Sequence, residues 1–212
     1  NNMLEKWLPQ LANDPAYNCN LSLKTTDFQP ETSINVSWNA DFIGKPRVYA
    51  FPMDSFGVGQ YRVRAPVNAL TTANIIESGL ANDFNDLIYP TPVEIERIKP
   101  DVLLGQNLFL ENMLTPWKRY KKFNSTFMVA GLDDLVYTLP IHHPRKEGWA
   151  GNIRKNVKDF FRYSDRVVVA NDALAEEFKK LTSNDIIVVP NYLENWRWQF
   201  LDLPEKKVTK KM

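Results

Sequence analysis

The sequence predicts an α/β domain built on a doubly wound, mostly parallel, Rossmann-like sheet, preceded by an N-terminal extension. Two observations carry that prediction. Short runs of Val, Ile, Leu and aromatic residues recur from Arg47 to Val189, nearly continuous rather than alternating, as strands buried on both faces require. Stretches with helical spacing of apolar residues separate most of these runs, and alternating strands and helices close into a parallel sheet.

The elements follow in order. Residues 1–45 are rich in Asn, Thr and Ser, with two isolated tryptophans, Trp7 and Trp38. Leu21-Ser22-Leu23-Lys24 and Ile34-Asn35-Val36-Ser37-Trp38 alternate apolar with polar, so this extension reads as a hairpin packed on the main domain. Arg47-Val48-Tyr49-Ala50-Phe51 is the first strand of the Rossmann-like unit, which spans residues 46–200. A loop with two glycines leads to a helix over 61–70, with Pro66 in its first turns, where a missing N–H costs little. Ala73-Asn74-Ile75-Ile76 is the second strand candidate, 93–99 a helix closed by Pro100, and Asp101-Val102-Leu103-Leu104-Gly105 the third strand. A helix over 111–122 ends in Lys118, Arg119, Lys121 and Lys122, favourable charges at a helix C-terminus. Thr126-Phe127-Met128-Val129-Ala130 is the fourth strand, stopped by Gly131. A helix over 152–163 carries Ile153, Val157, Phe160 and Phe161 on one face. The fifth strand is 165–170; a helix over 172–181 is capped by Asn171 or Asp172; the sixth strand is Ile186-Ile187-Val188-Val189, ended by Pro190-Asn191. Residues 201–212 read as a linker or tail.

Composition narrows the function classes. With 26 Lys and Arg against 25 Asp and Glu, the 212-residue chain carries a formal charge of +1, so no global basic field points to nucleic acid. Hydrophobic residues at 44% and charged residues at 24% are those of a folded globular domain. One cysteine, Cys19, leaves no disulfide framework and no paired-cysteine metal site. No apolar run is long enough to span a bilayer, and the first ten residues lack signal-peptide order, so a cytoplasmic setting is expected. The acceptor patterns at Asn20, Asn35 and Asn124 are then chance matches.

Ligands in open α/β sheets bind outside the carboxyl ends of the strands. After the first strand, Gly57 and Gly59 precede a helix, allowing close backbone approach and offering N–H groups to an anion. The third glycine of a dinucleotide fingerprint is replaced by Arg62. After the third strand, Gln106 and Asn107 can hydrogen-bond sugar hydroxyls or cap the next helix. After the fourth, Asp133 and Asp134 form an adjacent carboxylate pair, in which repulsion can raise one pKa toward that of a base; a capping turn is the plainer reading. His142 and His143 are adjacent and do not converge as metal ligands do, so no metal is expected.

The order of these motifs resembles the N-terminal half of a GT-B glycosyltransferase, in the group related to glycosyltransferase family 4. The carrying residues are Gly57-Val58-Gly59-Gln60-Tyr61-Arg62-Val63, Asp101-Val102-Leu103-Leu104-Gly105-Gln106, Asp133-Asp134-Leu135, Ser164 to Asn171, and Val188-Val189-Pro190-Asn191. The resemblance implies the acceptor-side domain of a nucleotide-sugar-dependent enzyme. Asp134 before Asp133 would serve as base or acceptor contact, the other carboxylate capping the turn. Gly57, Gly59, Arg62, Gln106, Asn107 and Asn191 would line the substrate site. The implied partners are a carbohydrate or glycan acceptor and a C-terminal donor domain. That domain would hold the nucleotide-sugar, so no cofactor belongs to this chain and the isolated chain is expected to be inactive. The competing expectation is a non-catalytic, glycosyltransferase-like carbohydrate-binding or assembly module, because fold analogy alone does not fix function.

Overall fold

The computed structural model of the chain describes residues 2–33, 44–83, 86–87, 89–138, 142 and 152–192. Six strands form one all-parallel sheet: β1 (Arg47–Phe51), β2 (Glu77–Leu80), β5 (Val102–Gln106), β6 (Phe127–Leu132), β7 (Arg166–Val169) and β8 (Asp185–Val188). Two short strands, β3 (Asn82–Asp83) and β4 (Asp86–Leu87), pair antiparallel beside it. The order across the large sheet is β2-β1-β5-β6-β7-β8. The chain therefore steps one way from β1 to β2 and the other way from β5 onward. The fold is α/β, Rossmann-like and doubly wound.

Helices α4 (Pro92–Ile98), α5 (Glu111–Phe123), α6 (Ile153–Arg162) and α7 (Asp172–Phe178) cover one face. Leu103, Met128, Ala130, Val167 and Val169 point into that layer and meet Ile95, Trp117, Phe160 and Phe178. Burial of such aromatic and branched side chains is the main stabilising term. Two polar ends inside this core have partners: Trp117 Nε1 donates to Ser164 Oγ at 3.0 Å and Tyr120 OH to the Pro90 carbonyl at 2.6 Å. Helix α4 begins with a reciprocal cap, Thr91 and Glu94 each accepting the other's backbone N–H.

The opposite face is covered at β1 and β2 by one continuous helical run. It opens as α2 (Gly57–Gly59), widens into a π-turn over Gln60–Arg64, and continues as α3 (Ala65–Thr72). Val63 and Val67 of this run pack on Ala50 and Ile76. Pro66 sits near the start of α3, where the looser π spacing already displaces the ordinary hydrogen-bond pattern.

The structure corrects the sequence expectation in two places. The extension begins with a helix, α1 (Asn2–Ala12), with Pro9 inside it, not with an extended segment. Leu8 and Ala12, four residues apart, are its buried positions. Arg97 of α4 fastens the extension by donating to the carbonyls of Ala12 and Leu21 at 3.0 and 2.7 Å. Among the described residues an antiparallel bridge there joins Leu21 to Pro30, and residues 34–38 lie outside the described residues. The second strand is residues 77–80 rather than 73–76. Asn74 takes a left-handed turn at φ 61, and β-pairing starts only at Glu77, opposite Arg47. The other strands and helices fall within two to four residues of their expected places. Among the described residues no helix is long and apolar enough to cross a membrane. Asn124 is buried and its amide donates to the Pro92 carbonyl, so that acceptor pattern is structural.

Candidate functional site

The sheet order reverses between β1 and β5, and in open α/β sheets the crevice at that reversal, at the strand C-termini, is where ligands bind. Three segments meet there: the loop after β1, the turn after β5 and the turn after β6.

Asn107 stands at the centre. It follows β5 in the left-handed region, φ 55, which asparagine tolerates better than other non-glycine residues. Its N–H donates to the Gly131 carbonyl at 2.9 Å, extending the β5–β6 pairing by one residue. Its side-chain Nδ2 donates to Asp133 Oδ1 at 2.7 Å and to Met53 Sδ at 3.3 Å. Asn107 is 4% exposed, and among the described residues its Oδ1 has no hydrogen-bond partner. A buried acceptor left open is costly and so marks a place for a donor.

Asp133 is half-buried, whereas Asp134 is exposed. Desolvation raises the Asp133 pKa above the ordinary carboxylate value, and the neighbouring Asp134 charge adds to the rise. The bond from Asn107 and the charge of Arg62 act against it. Burial also pushes the Tyr61 hydroxyl up, helped by the charges of Asp133, Asp134 and Asp54. Tyr61 and Asp54 thus belong to the same neighbourhood. The sequence reading had not singled them out as site residues. Its one available signal was Asp54, five residues before Gly59 at a helix start.

Gln106 is 3% exposed and both ends of its amide are committed: Oε1 accepts from Met53 N at 3.0 Å, and Nε2 donates to the Val58 carbonyl at 3.2 Å. It braces the loop over the crevice rather than facing a ligand. The two glycines also differ. A side chain on Gly57 would meet no atom within 4 Å, so that position is open to approach. A Cβ on Gly59 would lie 1.9 Å from the Asp54 carbonyl oxygen. Gly59 is required by the chain itself, not by a ligand. Asp54 Oδ1 accepts from Phe56 N and Gly59 N, both at 3.0 Å, so a carboxylate of the chain already sits at this helix start in place of an external anion.

Arg62, on the π-turn, reaches across to the chain beyond β8. Its Nη1 donates to the Val189 carbonyl at 2.6 Å and to Asn191 Oδ1 at 3.0 Å. The structure therefore brings Arg62 and Asn191 together, and both beside the Asp133 crevice, but in a contact within the chain. Replacing Arg62 by Met removes these bonds and a nearby positive charge. Arg62→Met is expected to cost about 1 kcal/mol and to move the Asp133 carboxyl further up, readable by thermal melts and by carboxyl NMR.

Among the described residues the crevice presents mainly acceptors, two aspartates and the open Asn107 oxygen, beside the Tyr61 hydroxyl and a guanidinium committed within the chain. That arrangement suits a ligand presenting hydroxyl groups. Among the described residues no three His, Cys, Asp or Glu side chains are grouped to hold a metal ion. His142 is exposed, and His143 lies outside the described residues.

Comparison with family models, with curated proteins and with solved structures finds no match. The function must be argued from the crevice itself.

Proposed function

We propose that the chain is the acceptor-side domain of a nucleotide-sugar-dependent glycosyltransferase, acting together with a donor-binding domain. The observation that supports it most is the half-buried Asp133 carboxylate, bonded to Asn107 at the crevice where the sheet order reverses. A carboxylate with a raised pKa is a better proton acceptor than an exposed one. In this reading Asp133 takes the proton from the attacking hydroxyl. The open Asn107 oxygen and the exposed Asp134 accept from other hydroxyls of the acceptor. Gly57 leaves room for the substrate, and the donor domain supplies the groups that stabilise the departing diphosphate.

A second reading is a carbohydrate-binding module without catalysis. It is favoured by one specific observation: the cationic and N–H donors of this loop, Arg62 and Gly59, are already committed within the chain. One pair of measurements separates the two. Saccharide binding to the chain is followed by saturation-transfer NMR, and nucleoside diphosphate release by the enzyme that contains it. Both readings predict saccharide binding that Asn107→Gly weakens. Only the catalytic reading predicts that Asp133→Asn abolishes diphosphate release while saccharide binding survives. A chain that binds no saccharide contradicts both.

A further inference from the structure

The loop after β1, one of the three segments that meet at the crevice, holds an aromatic ring out in solvent. Phe56 is 78% exposed, yet its backbone is fixed on both sides. Its N–H donates to Asp54 Oδ1 at 3.0 Å, and its carbonyl accepts from Gln60 N at 2.8 Å. Gln106, at the end of β5, ties the same loop down on either side of it, at Met53 and at Val58. A phenyl ring on a fixed backbone loses little freedom when a ligand covers it. Space lies open beside it, since a Cβ on Gly57 would meet no atom within 4 Å. Tyr61 follows on the π-turn, a geometry that recurs at functional sites. Its hydroxyl is near enough to Asp133, Asp134 and Asp54 for their charges to act on it, so a donor stands among the acceptors.

We propose that Phe56 is the platform on which a pyranose ring stacks at this crevice, with the Tyr61 hydroxyl donating to an oxygen of that sugar. The inference rests on the saccharide reading above and adds to it the class of sugar. The face of an aromatic ring is negative, and the C–H groups on one side of a pyranose carry partial positive charge, so the two attract. An aliphatic side chain of similar size offers no such face. The hydroxyls at the sugar's edge donate to Asp133, Asp134 and the open oxygen of Asn107. An oxygen of the sugar accepts from Tyr61, because the guanidinium of Arg62 is engaged with Val189 and Asn191. Stacking requires a sugar face free of axial hydroxyl groups, as in a gluco-configured pyranose.

Saturation-transfer NMR on the 212-residue chain tests this with methyl β-glucopyranoside, whose ring substituents are all equatorial. The C–H protons of one sugar face should receive most of the saturation. Phe56→Leu is expected to raise the Kd roughly two- to tenfold, the worth of an aromatic contact beyond its area, and Phe56→Ala to raise it further. Phe56→Trp should keep or improve binding. Tyr61→Phe should raise the Kd by roughly two- to tenfold, the worth of one hydrogen bond. The variants at position 56 should melt within about 3 °C of the parent, as substitutions at exposed positions do, which separates a lost contact from a lost fold. Methyl α-mannopyranoside, with an axial oxygen on each face, should bind more weakly than the glucopyranoside. Unchanged affinity in Phe56→Ala or Phe56→Leu overturns the stacking, and unchanged affinity in Tyr61→Phe overturns the donor, while the saccharide reading stands. Equal or tighter binding of the mannopyranoside likewise overturns the inference alone. A parent chain that binds neither sugar overturns the inference and counts against the saccharide reading as well.

Discussion

In the proposed glycosyltransferase, Asp133→Asn is expected to lower sugar-transfer turnover by roughly 10²–10⁴-fold, the usual worth of a general base, while leaving the chain at least as stable as before. The two halves of this result have one cause. Desolvation raises the Asp133 pKa in the folded state, so the folded chain holds the proton more tightly than the unfolded one. The stability contributed by the protonated group is complete below the ordinary carboxylate value and declines as pH rises through the folded-state value. At neutral pH the charged carboxylate is therefore a liability to the fold. Asparagine removes the charge, and its side-chain oxygen still accepts from Asn107. Activity should show the same group: the acid limb of kcat/KM for the unaltered enzyme lies above the ordinary aspartate range. Kinetics against pH together with thermal melts at pH 4 and pH 7 check both. Unchanged turnover in Asp133→Asn would move the chain into the binding-module class.

Gly59→Val is expected to cost at least about 3 kcal/mol and to disorder the loop over the crevice. The cause is a collision: a Cβ would stand 1.9 Å from the Asp54 carbonyl oxygen and 2.9 Å from its carboxylate. Backbone cannot yield as a flexible side chain can, so the penalty exceeds the roughly 1–3 kcal/mol of ordinary overpacking. Moving the loop also breaks the two bonds to Asp54 and loosens the brace from Gln106. Gly57→Ala, at the open position, should leave stability within about 0.5 kcal/mol. Denaturant unfolding of the two variants makes the comparison. Equal stability of Gly59→Val and the parent would show that the loop is held differently.

Much of the architecture was legible because its signal is local. Runs such as Val167-Val168-Val169 and Leu103-Leu104 need a doubly covered parallel sheet, and all six parallel strands were foreseen, five of them in place. The sixth, β2, contains Ser78 and Gly79, residues with weak strand preference. It forms because β1 offers it an edge, which no local pattern announces. Helix α1 was hidden for a similar reason. Pro9 and a sequence rich in asparagine mask its spacing, and Met3, Trp7 and Leu11 face outward while Leu8 and Ala12 carry the packing. At the site, the strand-end rule found Asn107, Asp133 and Asp134. It favoured Asp134 for the cleft, whereas Asp133 is the half-buried carboxylate bonded to Asn107, because desolvation is set by segments far apart in sequence. Nor did it foresee that Gln106, Gly59 and Arg62 serve the chain itself. The Arg62–Asn191 bond joins residues 129 positions apart.

The most direct test of the central claim is a carboxyl NMR titration of Asp133 in the chain itself. The structure places that carboxyl in the crevice, desolvated and bonded to Asn107. Asp133 should titrate clearly above the ordinary aspartate value of about 3.9. Asn107→Gly keeps the left-handed backbone and removes the bond that lowers the pKa, so it should move the titration higher still. A titration of Asp133 at or below the ordinary value, unmoved by Asn107→Gly, would contradict the account.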